Sequence, residues 1–341
     1  MSAQQRLVYV VGVGRSGTSL LAGILGQLGL HIPQPEVTAD DTNPKGFGEP
    51  RWVVDFHRRL MRQRRVIVFD ARPVAAWEAT RAASADPEVQ AELREWLGGE
   101  LAQAPAVVVK DPRSGWFLPL WTEAARELGA PASFVTMLRH PAEILASARR
   151  SYGDWQSDAS RAAAWVNVML ETERATRGER RAFVRYEDLL GDWAREVARI
   201  GTEADVPALA NIDRAAFPGV DEFVDPTLRR SPPGWEAHQV PARVRELADA
   251  AWEQFEVLAN PAGDHAAAQA ALDALRPRYA ELYGEAEAIA QPSIHAVRPR
   301  RRKAAAGPAN GAGASSLRAR VARRIPAPWR KRVRAALARR H

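Results

Sequence analysis

Hydrophobic positions along this chain follow two alternating rhythms. Short continuous apolar runs occupy residues 7–11, 66–69, 106–109, 131–138 and 182–185, several of them rich in valine and isoleucine. Runs of that length predict strands buried on both faces of a sheet. Between them, apolar residues recur every three or four positions, which predicts helices. One such set is Leu20, Leu21, Ile24, Leu25 and Leu28, in a helix starting near Gly17; another is Trp52, Val53, Phe56 and Leu60. Val89, Leu93, Trp96, Leu97 and Leu101 place a surface helix within 84–103. Ala162, Trp165, Val166, Met169 and Leu170 place another within 158–177. Two last helices, through Val244, Leu247, Ala251 and Phe255 and through Leu272, Leu275 and Leu282, fill 241–289. Strands alternating with helices predict an α/β fold: a mainly parallel sheet of about five strands with helices on both faces.

The rhythm changes beyond residue 292. Ala, Gly, Pro, Asn and Ser dominate 304–315, so 293–315 reads as a flexible linker between a domain at 1–292 and a tail at 316–341. In the tail, Leu317, Val321 and Ile325 recur every four residues among arginines. After Pro326 and Pro328, Trp329, Val333 and Leu337 repeat the spacing, giving two short basic amphipathic helices.

Charge follows the same division. Residues 298–341 hold fifteen of the 48 Lys and Arg and none of the 41 Asp and Glu, so the rest of the chain is acidic by eight charges despite the overall +7. A nucleic-acid reading of the whole protein is therefore unwarranted, and no specific nucleic-acid partner is expected. The tail instead suits an anionic membrane surface. The absence of cysteine excludes disulfides and thiolate metal sites and fits a reducing compartment. Neither a signal peptide nor a membrane-spanning run is evident, so a cytoplasmic protein is expected, with peripheral attachment to the inner face of the membrane through its tail.

Candidate chemistry begins at Gly12-Val13-Gly14-Arg15-Ser16-Gly17-Thr18-Ser19, between the first strand and first helix. Free N–H groups and the helix dipole make such a turn an anion site. Gly12, Gly17 and Ser19 match the nucleotide P-loop, but Thr18 stands where that motif has its lysine, and the cation is Arg15 instead. Further along, Asn43…Gly46-Phe47-Gly48-Glu49 forms a Gly/Pro-punctuated loop. Lys110-Asp111-Pro112-Arg113 follows the third strand, Arg139 and Ser147 lie eight residues apart after the fourth, and Tyr186-Glu187-Asp188-Leu189 follows the fifth. In an open parallel sheet, ligands bind beyond such strand ends. Glu49 also reads as a helix-start charge, Tyr186 as a core aromatic, and Asp70 as either a magnesium carboxylate or a turn residue.

The ordered set over residues 5–235 resembles the sulfotransferases that use 3′-phosphoadenosine 5′-phosphosulfate (PAPS), of the bacterial and Golgi type, with their P-loop-type fold. The resemblance implies a phosphosulfate-binding loop at Gly14, Arg15, Ser16, Gly17, Thr18 and Ser19. It implies a 3′-phosphate site at Arg139 and Ser147, with Tyr186 near the adenine and Arg230 on a closing loop. Gly48 departs from the family pattern, which has an aromatic residue there. The reaction implied moves a sulfuryl group to an acceptor hydroxyl, on a glycan, glycolipid or other small metabolite. Glu49 is the first candidate base and His57 the second, Arg15 answers charge on the leaving group, and Lys110 and Arg113 face the substrate. No metal is expected. Two rivals are a P-loop NTPase or small-molecule kinase using Asp70, against which Thr18 argues, and a catalytically silent membrane-docking module of the same fold.

Overall fold

A computed structural model describes residues 5–228 and 234–297. Arg230 and the tail, including its two expected helices, lie outside these residues. The chain divides after Ile289.

Four strands, β1 (Arg6–Val11), β2 (Ala106–Lys110), β3 (Ala132–Leu138) and β4 (Arg180–Arg185), form one parallel sheet in the order β2-β1-β3-β4. β1 is central, with Val10 opposite Lys110 on one side and Val11 opposite Thr136 on the other. Side chains alternate along each strand, so the continuous apolar runs feed two separate cores. Leu7, Tyr9, Val11, Val107, Val109 and Phe134 face one; Val8, Val10, Val108, Val135 and Met137 face the other.

The second of these cores is covered by α1 (Thr18–Gln27), by α8 (Tyr186–Gly191) and α9 (Trp193–Glu203), and by α10 (Pro218–Phe223). The first is covered by α2 (Arg51–Arg64), α3 (Ala75–Ser84), α4 (Pro87–Leu101), α5 (Leu118–Glu127), α7 (Asp158–Ala175), α11 (Ala242–Leu258) and α12 (His265–Val297). Between β3 and α7 lies α6 (Pro141–Tyr152), whose Ile144 and Ala148 join the first core. Local chemistry sets several boundaries. Asp86, Ser157 and Asp192 cap α4, α7 and α9 with side-chain oxygens, and Pro87 and Pro141 occupy first turns, where a missing N–H costs nothing.

One expected strand is absent. Residues 66–69 form a turn-rich connection after α2, with Val66 and Phe69 buried in the first core and Ile67 44% exposed. The run is apolar because Val66 and Phe69 plug that core, and the four strands of the sheet run from β2 to β4 without it. The single helix expected over 84–103 begins instead at Pro87, where α3 has already ended. α12 runs to Val297, beyond residue 293, where the linker was expected to start.

The order β2-β1-β3-β4 puts a reversal of direction at β1. The crevice beyond its carboxyl end is where such sheets bind ligands.

Candidate active site

Every strand delivers a sequence-predicted residue to that crevice. β1 runs into the loop at 12–17, β2 ends on Lys110, β3 is followed by Arg139, and β4 by Tyr186. Gly12 turns the loop at φ 142°, where a Cβ would lie 2.7 Å from Ser16 Oγ and 2.9 Å from the Met137 carbonyl. The Ser16 N–H closes a turn onto the Val13 carbonyl at 3.1 Å. Arg15 holds φ 75°, in the left-handed region a non-glycine residue seldom adopts. Gly17 starts α1 at φ 100°, and a Cβ there would meet Tyr186 Cδ2 at 2.3 Å. The loop is thus wedged between the β3 backbone and the Tyr186 ring. α1 begins with no side-chain cap, and the buried Ser16 hydroxyl has no partner among the described residues. First-turn N–H groups and an orphaned hydroxyl together suit a multivalent anion.

Two arginines meet at this loop. Arg15 Nε donates to Ser147 Oγ of α6 at 3.0 Å. Arg139, 8% exposed, donates from Nε to Glu143 Oε2 at 2.9 Å and from NH1 to the Arg15 carbonyl at 3.2 Å, and lies 4.6 Å from the Tyr186 ring centre. Beside it opens a cavity of about 110 Å³, lined among others by Arg139, Glu143, Arg185, Tyr186, Trp252 and Glu256. Arg139, Ser147 and Tyr186 are therefore brought to the loop, with Ser147 bonded to Arg15 rather than sharing a ligand position with Arg139 alone. Glu143 gave a readable signal, an acidic residue four positions after an arginine at a helix start.

Lys110 joins the loop to the segment before α2. Its ammonium, 2% exposed, donates to Ser19 Oγ at 3.0 Å, the Phe47 carbonyl at 3.1 Å and Glu49 Oε1 at 2.6 Å. Burial raises the Glu49 carboxyl above the ordinary range; Lys110 opposes that rise and nearby Asp111 adds to it. A buried carboxylate with a raised pKa, beside an anion-binding loop, has the properties of a general base.

His57, expected as an alternative base, is placed otherwise. It is fully buried, its Nδ1 bonds Asp111 Oδ2 at 2.8 Å, and its Nε2 accepts from Trp121 Nε1 at 2.8 Å. Both ring nitrogens are occupied within the core, so it has no free lone pair for an acceptor proton. Burial pushes the Asp111 carboxyl up, but the His57 bond and Arg113 more than offset this and hold it below the usual range. Arg113 binds that carboxylate through NH1 at 2.6 Å and its backbone N–H at 3.1 Å. Asp111 and Trp121 carry no local sequence signal for this arrangement. Asp70 is gripped by Arg72 at both oxygens, at 2.8 and 2.6 Å, which is a closed ion pair rather than an open metal carboxylate. Among the described residues, no cluster of three or more His, Asp or Glu is placed to hold a metal ion.

A family model described as "Sulfotransferase family" matches residues 8–210. Among solved structures, the sulfotransferase domain of the Synechococcus PCC 7002 olefin synthase is 18% identical, with 75% of this chain and 97% of that one covered and a TM-score of 0.42. The sulfotransferase domain from the curacin biosynthetic pathway is 16% identical, with 73% and 98% covered and a TM-score of 0.40. Sulfotransferase STF1 from Mycobacterium tuberculosis H37Rv is 19% identical, with 65% and 76% covered and a TM-score of 0.33. No curated protein matches. The family match covers more than half of the chain and spans the loop, Glu49, Lys110, Arg139 and Tyr186: this chain belongs to the sulfotransferase family.

Proposed function

We propose that the chain transfers a sulfuryl group from PAPS to an acceptor hydroxyl on a glycan, glycolipid or other small metabolite. The observation that carries this reading is the direct bond between Arg15 of the loop and Ser147 of α6, which supports one ligand reaching both segments. PAPS has two anionic ends, and the donors present suit it. Arg15 and the N–H groups of residues 16–19 would hold the 5′-phosphosulfate, with Gly14 allowing close approach and the Ser16, Thr18 and Ser19 hydroxyls nearby. Arg139 and Ser147 would hold the 3′-phosphate, with Tyr186 beside the adenine.

When bound, PAPS supplies the sulfuryl group and a leaving phosphate. Glu49 accepts the proton of the acceptor hydroxyl, and Lys110 holds that carboxylate at the edge of the loop. Arg15 and the loop amides stabilise charge that grows on the leaving oxygen. Lys110 and Arg113 are assigned to the acceptor side. Less supports a kinase, since Thr18 replaces the loop lysine and Arg72 closes Asp70.

The test is stabilisation by ligand. Adenosine 3′,5′-bisphosphate at a hundred times its Kd should add about 2.7 kcal/mol, and ATP, which lacks a 3′-phosphate, much less. Arg139→Ala should remove most of that preference. Equal stabilisation of the wild type by both nucleotides would sink the PAPS reading. Attachment of the tail to the cytoplasmic face of a membrane is also a proposal. Among the described residues, no helix is long and apolar enough to cross one.

A further inference from the structure

The Trp121–His57–Asp111–Arg113 chain of bonds begins in the core and ends in the crevice. Trp121 and His57 are fully buried, Asp111 is 1% exposed, and only the Arg113 side chain reaches solvent, at 19%. Direction runs one way. An indole N–H can only donate, so His57 Nε2 must accept from it, which leaves the ring proton on Nδ1 and aimed at Asp111 Oδ2. Phe117 stacks on the imidazole at 4.9 Å and an interplanar angle of 12°, fixing its plane. With one carboxylate oxygen taken by His57, the other faces the Arg113 guanidinium and backbone N–H. Arg113 follows Lys110, whose ammonium holds Glu49, by three residues, and its guanidinium is near enough to Glu49 and Tyr152 to act on them electrostatically.

Asp111 has the Arg113 guanidinium and N–H on Oδ1 and His57 on Oδ2, so both of its buried oxygens are satisfied. The His57 bond adds a fixed direction to the carboxylate, and hence to the guanidinium it holds. His57 also belongs to α2, the helix that begins just after Glu49, whereas Asp111 follows Lys110 directly. One bond therefore ties together the two segments that supply the Glu49–Lys110 pair.

We infer that His57 is a positioning residue of the acceptor site: through Asp111 it aims the Arg113 guanidinium at the acceptor beside Glu49. This rests on the proposed transfer reaction. Arg113's charge is matched by Asp111, so it offers the acceptor directed hydrogen bonds more than net attraction. The acceptor oxygens it meets are accordingly uncharged ones, as on a hydroxyl-bearing sugar or alcohol.

The experiment uses the full chain and four variants. His57→Phe keeps the ring and its stacking but leaves Asp111 Oδ2 and Trp121 Nε1 without partners. His57→Asn restores a donor toward Asp111. Arg113→Met removes the end of the relay nearest solvent, and the fourth variant combines His57→Phe with Arg113→Met. Steady-state kinetics are measured with PAPS and an acceptor found by labelled-sulfate screening. His57→Phe and Arg113→Met should raise the acceptor KM about tenfold or more, with kcat within about threefold, an unmoved acid limb of the pH profile and unchanged bisphosphate affinity. His57→Asn should recover most of the KM. In the Arg113→Met background His57→Phe should raise the KM no further, because the relay then has no end to aim. A collapse of kcat with loss of the acid limb in His57→Phe would make His57 the base and overturn the inference, as would additive effects in the combined variant.

Should His57→Phe fail to fold, Arg113→Met still decides: an acceptor KM that it leaves unmoved would refute the relay. Imidazole nitrogen NMR gives a readout that needs no turnover: the wild type should show a neutral ring protonated at Nδ1, and a proton on Nε2 instead would refute the relay. Whether the chain uses PAPS at all is read separately, from stabilisation by the bisphosphate, so failure of the transfer reading and failure of the relay are distinguishable.

Discussion

Replacing Lys110 by methionine tests the Glu49 assignment most directly. Methionine keeps the length of the side chain but removes an ammonium that donates to Glu49 at 2.6 Å, Ser19 at 3.0 Å and the Phe47 carbonyl at 3.1 Å. Of the forces on the Glu49 carboxyl, burial raises its pKa and Lys110 is the largest that lowers it. Loss of a hydrogen bond between charged groups is worth about 1.5–3 kcal/mol. Without that ammonium, burial is less opposed and the Glu49 pKa should rise further.

The sign follows from linkage. A carboxyl whose folded pKa exceeds its unfolded one contributes stability at low pH that is lost as pH rises through the folded value. The stability deficit of Lys110→Met should therefore be smallest in acid and grow with pH across the raised pKa, by up to about 1.4 kcal/mol per pH unit. Thermal melts of both proteins from pH 5 to pH 9 measure this without any acceptor. With an acceptor, the acid limb of kcat/KM should move upward in pH, since a protonated Glu49 cannot take a proton. A deficit that stays constant over this pH range would refute the dependence of Glu49 on Lys110.

Four further outcomes follow. Glu49→Gln should lower turnover by about 10²-fold or more while bisphosphate binding, measured by calorimetry, stays nearly intact. Gly17→Ala should abolish bisphosphate stabilisation in melts, because its Cβ would overlap the Tyr186 ring at a φ of 100° that disfavours any side chain. Arg15→Ala should weaken bisphosphate binding and lower kcat together, as judged by calorimetry beside kinetics, since the proposed role has Arg15 meet the leaving group before and during transfer. The full chain should float with anionic but not neutral liposomes, and a chain ending at Val297 with neither; full-length protein that stays unbound at low salt would refute membrane attachment by the tail.

Much of the fold was legible in local pattern. The apolar runs at 7–11, 106–109, 131–138 and 182–185 each found a place in the sheet, because a strand buried on both faces needs apolar residues at every position. The run at 66–69 looks the same and is not a strand. Whether such a segment pairs depends on where the fold carries it, and packing of Val66 and Phe69 into the first core keeps this one out of the sheet. Only the tertiary structure decides that. The loop at 12–17 was readable because Gly12, Gly17 and the cation between them act locally, through backbone conformation and a helix start.

Partnerships across the sheet were not readable. Lys110 meets Ser19, 91 residues away, and Glu49, 61 away; His57 meets Asp111, 54 away, and Trp121, 64 away. Sequence alone offered His57 as a base, since a histidine on an apolar helix face looks the same whether its nitrogens are free or bound. In the fold, Trp121 closes over one nitrogen and Asp111 over the other. The sequence by itself thus determined the residue types at each strand end and the backbone of the loop, because both follow from short-range sterics and burial. The tertiary structure decided which side chains share a proton, a charge or a cavity, because those depend on distances between segments that the chain brings together only when its two cores form.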